Sequence, residues 1–400
     1  MNVSQSPGSD EPSVGTAGID ARSMWALLLG NALSELGIGF MLPILPLFLS
    51  HRGGSASLIG LIFAAGVAGR LISQYPAGRL SDRFGRRGVI VGSMLAYSLL
   101  FPVYLLPLPP ESLIALRFVH ALVGGAYVPA AMALVADLAP EGGRGSAFGR
   151  MRASDMVGVL LGPALGGLVA GYRIEAIFLG GFVICLLATL LLLRLPRTPR
   201  TARDSEPEVP VPLSTLLRRL FPVAVLALPV YWTFGTYDTV WSLYITSRGA
   251  TPFLVGLSFA SYALPIVLLG GWLGAIGDRL GYVRAAALAL VAFGLLAGTY
   301  PFISSVTVLI LIGVVEGALT AAGNPALQSA VSMVAPPGAQ GRMQGLYGVM
   351  LALAEIGGAV GGGFLYAFGP RYSFLAVTAI CLAGAAIGIA LNPPGRVRAE

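Results

Sequence analysis

Lysine is absent from this 400-residue chain, and all 25 basic residues are arginine. Charge of either sign is scarce, at 11% of residues, where an average soluble protein has roughly 25%. With 56% hydrophobic residues and a mean hydropathy of +0.81, too little polar surface remains to face water. A string of soluble domains is therefore excluded. Only two histidines and two cysteines are present. Cys185 and Cys381 each lie inside an apolar run, so no disulfide framework is implied. No metal site and no assembled nucleophile and base emerge from so few ligands, which argues against an enzyme. No phosphate loop of the G-x-x-x-x-G-K-[ST] type occurs, so ATP is excluded as the driving force. The alternating ten-residue segments of a β-barrel are missing too. Residues 1–22 hold no apolar run before a cleavage site and read as a disordered polar tail.

What fills the chain instead is apolar runs of about 20 residues or more, each long enough to cross a bilayer. Six fall at 24–49, 57–79, 88–107, 112–138, 147–171 and 175–195. Six more fall at 220–247, 253–277, 284–303, 306–334, 342–368 and 371–391. The expectation is an all-α membrane protein whose twelve transmembrane helices form two pseudo-symmetric six-helix bundles, 23–195 and 219–392. A Pro- and Arg-rich linker at 196–218 joins them, and 393–400 is a second tail. The 54 glycines suit helices packed closely in lipid.

Arginine placement sets the orientation. Nineteen lie in loops on the side of the termini and four (Arg52, Arg173, Arg248, Arg371) on the other, leaving Arg70 and Arg117 within spans. The positive-inside rule then puts both termini in the cytoplasm of a cell (inner) membrane. It also explains the net charge of +7 without a nucleic-acid partner.

The halves repeat. A shift of 196 residues lays Gly78, Asp82, Arg83 and Gly85 on Gly274, Asp278, Arg279 and Gly281. It also lays Pro129 on Pro325, Gly162, Gly166 and Gly167 on Gly358, Gly362 and Gly363, and Cys185 on Cys381. Six helices is an even number, so the copies share one orientation about an axis along the membrane normal.

Three motifs carry a family resemblance. Gly78-Arg-Leu-Ser-Asp82-Arg83-Phe-Gly85-Arg86-Arg87, between the second and third spans, matches G-x-L-[SA]-D-R-x-G-R-[RK] at every defined position. Its glycines permit a tight reversal, and Arg86 and Arg87 suit an anionic leaflet. Gly158-Val-Leu-Leu-Gly162-Pro163-Ala-Leu-Gly166-Gly167 in the fifth span follows G-x(3)-G-P-x-x-G-G. Met41-Leu-Pro43-Ile-Leu-Pro46 adds a proline pair to the first span. In these the chain resembles the major facilitator superfamily, and among its members the twelve-helix drug:proton antiporters. The resemblance implies that the first loop latches the halves, that the glycine motif marks export, and that Arg117, in Arg117-Phe-Val-His120-Ala121, takes part in proton transfer.

Ionisable side chains inside a bilayer cost roughly 2.5–3.5 kcal/mol each on insertion scales and call for a function. Glu35, Asp238, Glu316 and Glu355 fall mid-span, with Asp155 nearer the cytoplasmic end. Glu316, Thr320, Asn324 and Gln328 recur every four residues, a polar stripe for a cavity. Tyr231, Phe234, Asp238, Trp241 and Tyr244 or Ile245 share a face and set an acid among aromatics, which suits a lipophilic cation. Asn31 and Glu35 lie one turn apart. His120 and Glu316 are equivalent under the repeat, and Arg70 requires a carboxylate, for which Glu35 and Asp155 are the candidates. The expected activity is proton-coupled export of hydrophobic, cationic, drug-like compounds by a monomer. The proton is the coupling ion and no cofactor is called for. Efflux of a sugar or other neutral metabolite, and a non-enzymatic membrane sensor, are the alternatives.

Overall fold

The computed structural model describes residues 14–139, 143–196 and 211–392. Tail 393–400 and most of the expected linker fall outside the described residues, as do the side chains of Asp82 and Asp278, and the linker ends sooner than expected because a helix begins at Leu213. The N-terminal expectation needs correction from Val14 onward, where a helix has already begun.

Fourteen α-helices and no strands occur among the described residues. The first half comprises α1 (Val14–Met41), α2 (Leu45–His51), α3 (Ala56–Phe84), α4 (Arg86–Leu100), α5 (Ser112–Gly125), α6 (Tyr127–Leu138), α7 (Arg144–Ala170) and α8 (Ala176–Leu192). The second comprises α9 (Leu213–Ser247), α10 (Pro252–Leu280), α11 (Tyr282–Thr299), α12 (Val306–Val334), α13 (Gln340–Phe368) and α14 (Pro370–Leu391). Among the described residues eleven stretches are long and apolar enough to cross a membrane. The twelfth, α8, has 17 residues, a length of about 25 Å at 1.5 Å per residue.

Proline and glycine explain where spans break. The first span parts into α1 and α2 at Leu42–Ile44, because Pro43 and Pro46 both lack an N–H to donate. The fourth parts at Ala126, where Gly124 and Gly125 weaken the helix just before Pro129. Its copy Pro325 sits inside the unbroken α12. Gly85 ends α3 at φ +83°, and Gly281 ends α10 at φ +80°. A Cβ is strained there, so the glycines of the two copies have a conformational reason.

Packing repeats in the same register. α1 rests on α7 and α8, α3 on α5, and α4 on α8; α9 rests on α13 and α14, α10 on α12, and α11 on α14. Phe48 and Phe178 meet edge-to-face at 4.6 Å, and their counterparts Tyr244 and Phe374 do so at 4.6 Å. The halves touch along two seams, α7 with α10 and α3 with α13. Each seam is backbone against backbone. Gly256 abuts the Pro163 carbonyl and Gly167 the Pro252 carbonyl; the copies are Gly60 on the Ala359 carbonyl and Gly363 on the Ala56 carbonyl. All four contacts lie toward the face opposite the arginine-rich loops, where the helices α3 and α10 begin and α7 and α13 end. These contacts seal that face except for a pocket of about 280 Å³ between the halves, lined by Leu47, His51, Ala56, Leu243 and Tyr366.

Candidate functional site

The second half holds a cavity of about 110 Å³. Helix α9 supplies Phe234, Tyr237, Asp238 and Trp241, and α12 supplies Gly313 and Glu316. Phe259 and Tyr262 of α10, Phe293 of α11 and Tyr300 complete the aromatic wall. Spacings of three and four residues put 234, 237, 238 and 241 on one face of α9. Glu316 is 2% exposed, and the Tyr237 hydroxyl donates to its Oε1 at 3.3 Å. The Tyr300 hydroxyl is buried without a hydrogen-bond partner in the same wall. Among the described residues no hydrogen bond or ion pair reaches the Asp238 carboxylate. Trp241 is fixed by its Nε1–H on Ser258 at 2.9 Å, and its ring stacks with Tyr237 at 5.8 Å.

The polar stripe of α12 divides. Thr320 returns its hydroxyl to the Glu316 carbonyl at 2.9 Å and meets Tyr262 at 2.8 Å. Asn324 lines a separate small crevice inside the half, with Leu226 and Cys381. Gln328 turns to Gln344 at 3.1 Å. The α9 face is narrower than its spacing suggests. Tyr231 packs on Phe234 at 5.4 Å, away from the cavity. Tyr244 is wholly buried, giving its hydroxyl to the Tyr300 carbonyl at 2.6 Å.

Two expectations about the membrane charges are overturned. Arg70 pairs with Glu355, Nη2 lying 3.0 Å from Oε1 and 3.2 Å from Oε2, rather than with Glu35 or Asp155. The α3–α13 seam is the cause, since it carries both residues to the junction of the halves. His120 is enclosed rather than set across the cavity from Glu316. It is 0% exposed, stacked on Tyr97 at 4.0 Å and flanked by Phe101 and Tyr104. Its Nε2 faces the Tyr97 carbonyl at 3.1 Å and so carries hydrogen, while Nδ1 meets the Tyr104 hydroxyl at 3.3 Å. A neutral ring satisfies both contacts. Arg117, one turn before it, is buried with Nε unpartnered and lies against Gly66.

In the first half Asn31 donates to Ser154 Oγ at 2.8 Å and Asp155 Oδ1 at 2.6 Å. Arg152 stands 3.6 Å from Asp155. Glu35 lies one turn beyond Asn31, where α7 packs against it: Gly158 abuts Glu35 and Leu36, Gly162 abuts Gly39, and Gly166 abuts Phe40. One face of the glycine motif thus packs α1, while Pro163 and Gly167 form the seam with α10. In the loop motif, Arg86 Nε meets Asp137 Oδ2 at 2.8 Å, and Arg87 donates to the Leu193 carbonyl at 2.6 Å. Both arginines staple helix ends within the half. In the copy Tyr282 replaces Arg86 and bonds Asn392 at 3.1 Å.

Sequence reasoning missed Tyr237, Tyr300 and Asp137. The first shares the 234/241 face by spacing, and the second is the repeat partner of Tyr104, so both were findable.

Two six-helix halves packed together at one face, with an ion pair between them and a buried acid within one, define a polytopic membrane transporter and not an enzyme. The chain belongs to the Major Facilitator Superfamily, whose model matches residues 27–247 and 223–399. It is similar to Multidrug resistance protein 2 of Bacillus subtilis (strain 168), at 27% identity over 377 residues, 91% of this chain and 94% of that protein. Multidrug resistance protein 1 of the same organism is 25% identical over 391 residues, 94% of this chain and 97% of that protein. A solved structure of a POT family transporter in complex with 5-aminolevulinic acid shares the fold, with a TM-score of 0.77 at 15% identity over 92% of this chain and 96% of that chain.

Proposed function

We propose that this transporter exports hydrophobic, cationic, drug-like compounds in exchange for protons, one six-helix half rocking against the other. The observation that carries the reading is Glu316, buried in an aromatic-walled cavity with no basic residue in its lining. A carboxylate so placed is compensated by a proton or by an arriving cation, and exchange of the two is antiport. Asp238 on the same wall offers a second such group. The stacked Tyr237 and Trp241 rings add cation–π attraction for a lipophilic guest.

With the arginine-rich face in the cytoplasm, the sealed face is external and the interior opens inward, the state that loads cargo for export. Arg70, midway along α3, keeps 50% of its side chain exposed beside the Glu355 carboxylate. The names of the two relatives above agree with efflux. A single chain supplies both halves, so the working unit is a monomer in the cell membrane, with both termini in the cytoplasm. The test is drug susceptibility of a host expressing the chain, with and without a protonophore. Resistance that the protonophore cancels is expected; resistance to no cationic compound contradicts the reading.

A further inference from the structure

The two halves handle one position in opposite ways. Under the 196-residue shift Arg117 falls on Gly313 and His120 on Glu316. Around them Tyr104 falls on Tyr300, Tyr97 on Phe293 and Phe178 on Phe374, so much of the aromatic surround is retained. The first half therefore encloses a permanent cation beside a ring whose two contacts a neutral imidazole satisfies. The second encloses an acid and no cation. At Gly313 a side chain would extend into open space, with nothing within 4 Å of a built Cβ, although the residue is buried. That space belongs to the cavity beside Glu316.

Size and hydrogen bonding narrow what fits. An apolar cavity of about 150 Å³ holds one benzene, so about 110 Å³ takes a head group and not a whole drug. Tyr237 reaches Oε1 of Glu316. The buried Tyr300 hydroxyl faces the same carboxylate as its one further donor, and among the described residues no hydrogen bond reaches Asp238. Desolvated carboxylates short of donors favour a cation that brings N–H groups, and a planar guanidinium or amidinium also stacks on aromatic faces. A quaternary ammonium offers charge but no donor.

Resting on the cation-exporter reading, we propose that the space beside Gly313 is a seat for a guanidinium, amidinium or primary ammonium head, donating N–H to Glu316, and that it discriminates against quaternary ammonium of similar size. A hydrogen bond to a charged group accounts for about a ten- to hundredfold preference.

The experiment is equilibrium binding of benzamidinium and phenyltrimethylammonium, one ring and one charge each, to the full chain in detergent. Benzamidinium should bind at least about tenfold more tightly. Gly313→Leu should abolish that binding while helical content is retained, and Gly313→Ala should weaken it by a smaller factor. Equal affinity for the two cations overturns the seat, and so does undiminished benzamidinium binding in Gly313→Leu. The wild-type comparison and Gly313→Ala decide the matter even if the leucine variant does not fold. Protonophore-sensitive export of ethidium, measured separately, reads the exporter assignment alone. Equal affinities with ethidium export intact overturn only the seat; equal affinities with no export overturn both.

Discussion

Arg70 and Glu355 meet at 3.0 Å although 285 positions separate them, one on each side of the α3–α13 seam. Under the repeat their counterparts on the other seam are Ile266 and Val159, both apolar. One seam is therefore held by charge as well as by backbone packing. The Arg70 side chain is half exposed, so screening limits the pair to about 1 kcal/mol. Arg70→Ala should lower the sealed population about fivefold. Spin labels at His51 and Ala367, on the sealed face, would read this as longer distances. The swapped pair Arg70→Glu with Glu355→Arg should restore them; a swap that behaves like the single variant denies the pair a role in state choice.

The glycine motif has two faces, and substitutions should separate them. Gly158→Leu would drive its side chain into the α1 backbone at Glu35 and Leu36. Overpacking of this kind costs about 1–3 kcal/mol or more, so expression and thermal stability should fall. Gly167→Leu strikes Pro252 and Gly256 of the opposite half. It should leave each half folded yet prevent sealing, giving near-normal thermal stability with lost transport. Equal losses of stability in the two variants would refute the distinction.

At the opposite face, Arg86→Ala and Asp137→Ala should each lower stability by about 1 kcal/mol, and the double variant by little more than either. Thermal melts of the three proteins in one detergent check this. Additive losses would mean that the 2.8 Å contact contributes nothing of its own.

Much of the fold was legible because hydropathy and punctuation are local. Apolar runs gave the spans, and Gly85 and Gly281 marked the reversals that their positive φ values require. The site was legible only in part. Helical spacing led to Asp238, Trp241 and Glu316, which do share a cavity. It could not find the partner of Arg70, because nothing within one helix records which seam its face meets. It misplaced His120 for a related reason. The repeat fixes equivalent positions, whereas Tyr97 and Phe101, from the neighbouring span, decide whether a position is enclosed. Asn324 and Tyr231 lay on the right stripes but beyond the depth of the cavity.

Removing the Asp238 carboxylate tests whether the second acid of the cavity is needed as well as the first. Asp238→Asn keeps the shape of the wall and should stop net export of cations while the protein still folds. Dye uptake into inverted vesicles reads it. Full uptake would leave Glu316 as the sole exchanging group of the cavity.

The most direct measurement is pH-gradient-driven uptake of a cationic dye into inverted vesicles containing Glu316→Gln. The substitution keeps size and a hydrogen-bond acceptor for Tyr237 but can no longer trade a proton for a cation. The account predicts a correctly inserted, monodisperse protein whose gradient-driven uptake is abolished. Uptake at the wild-type rate would contradict it.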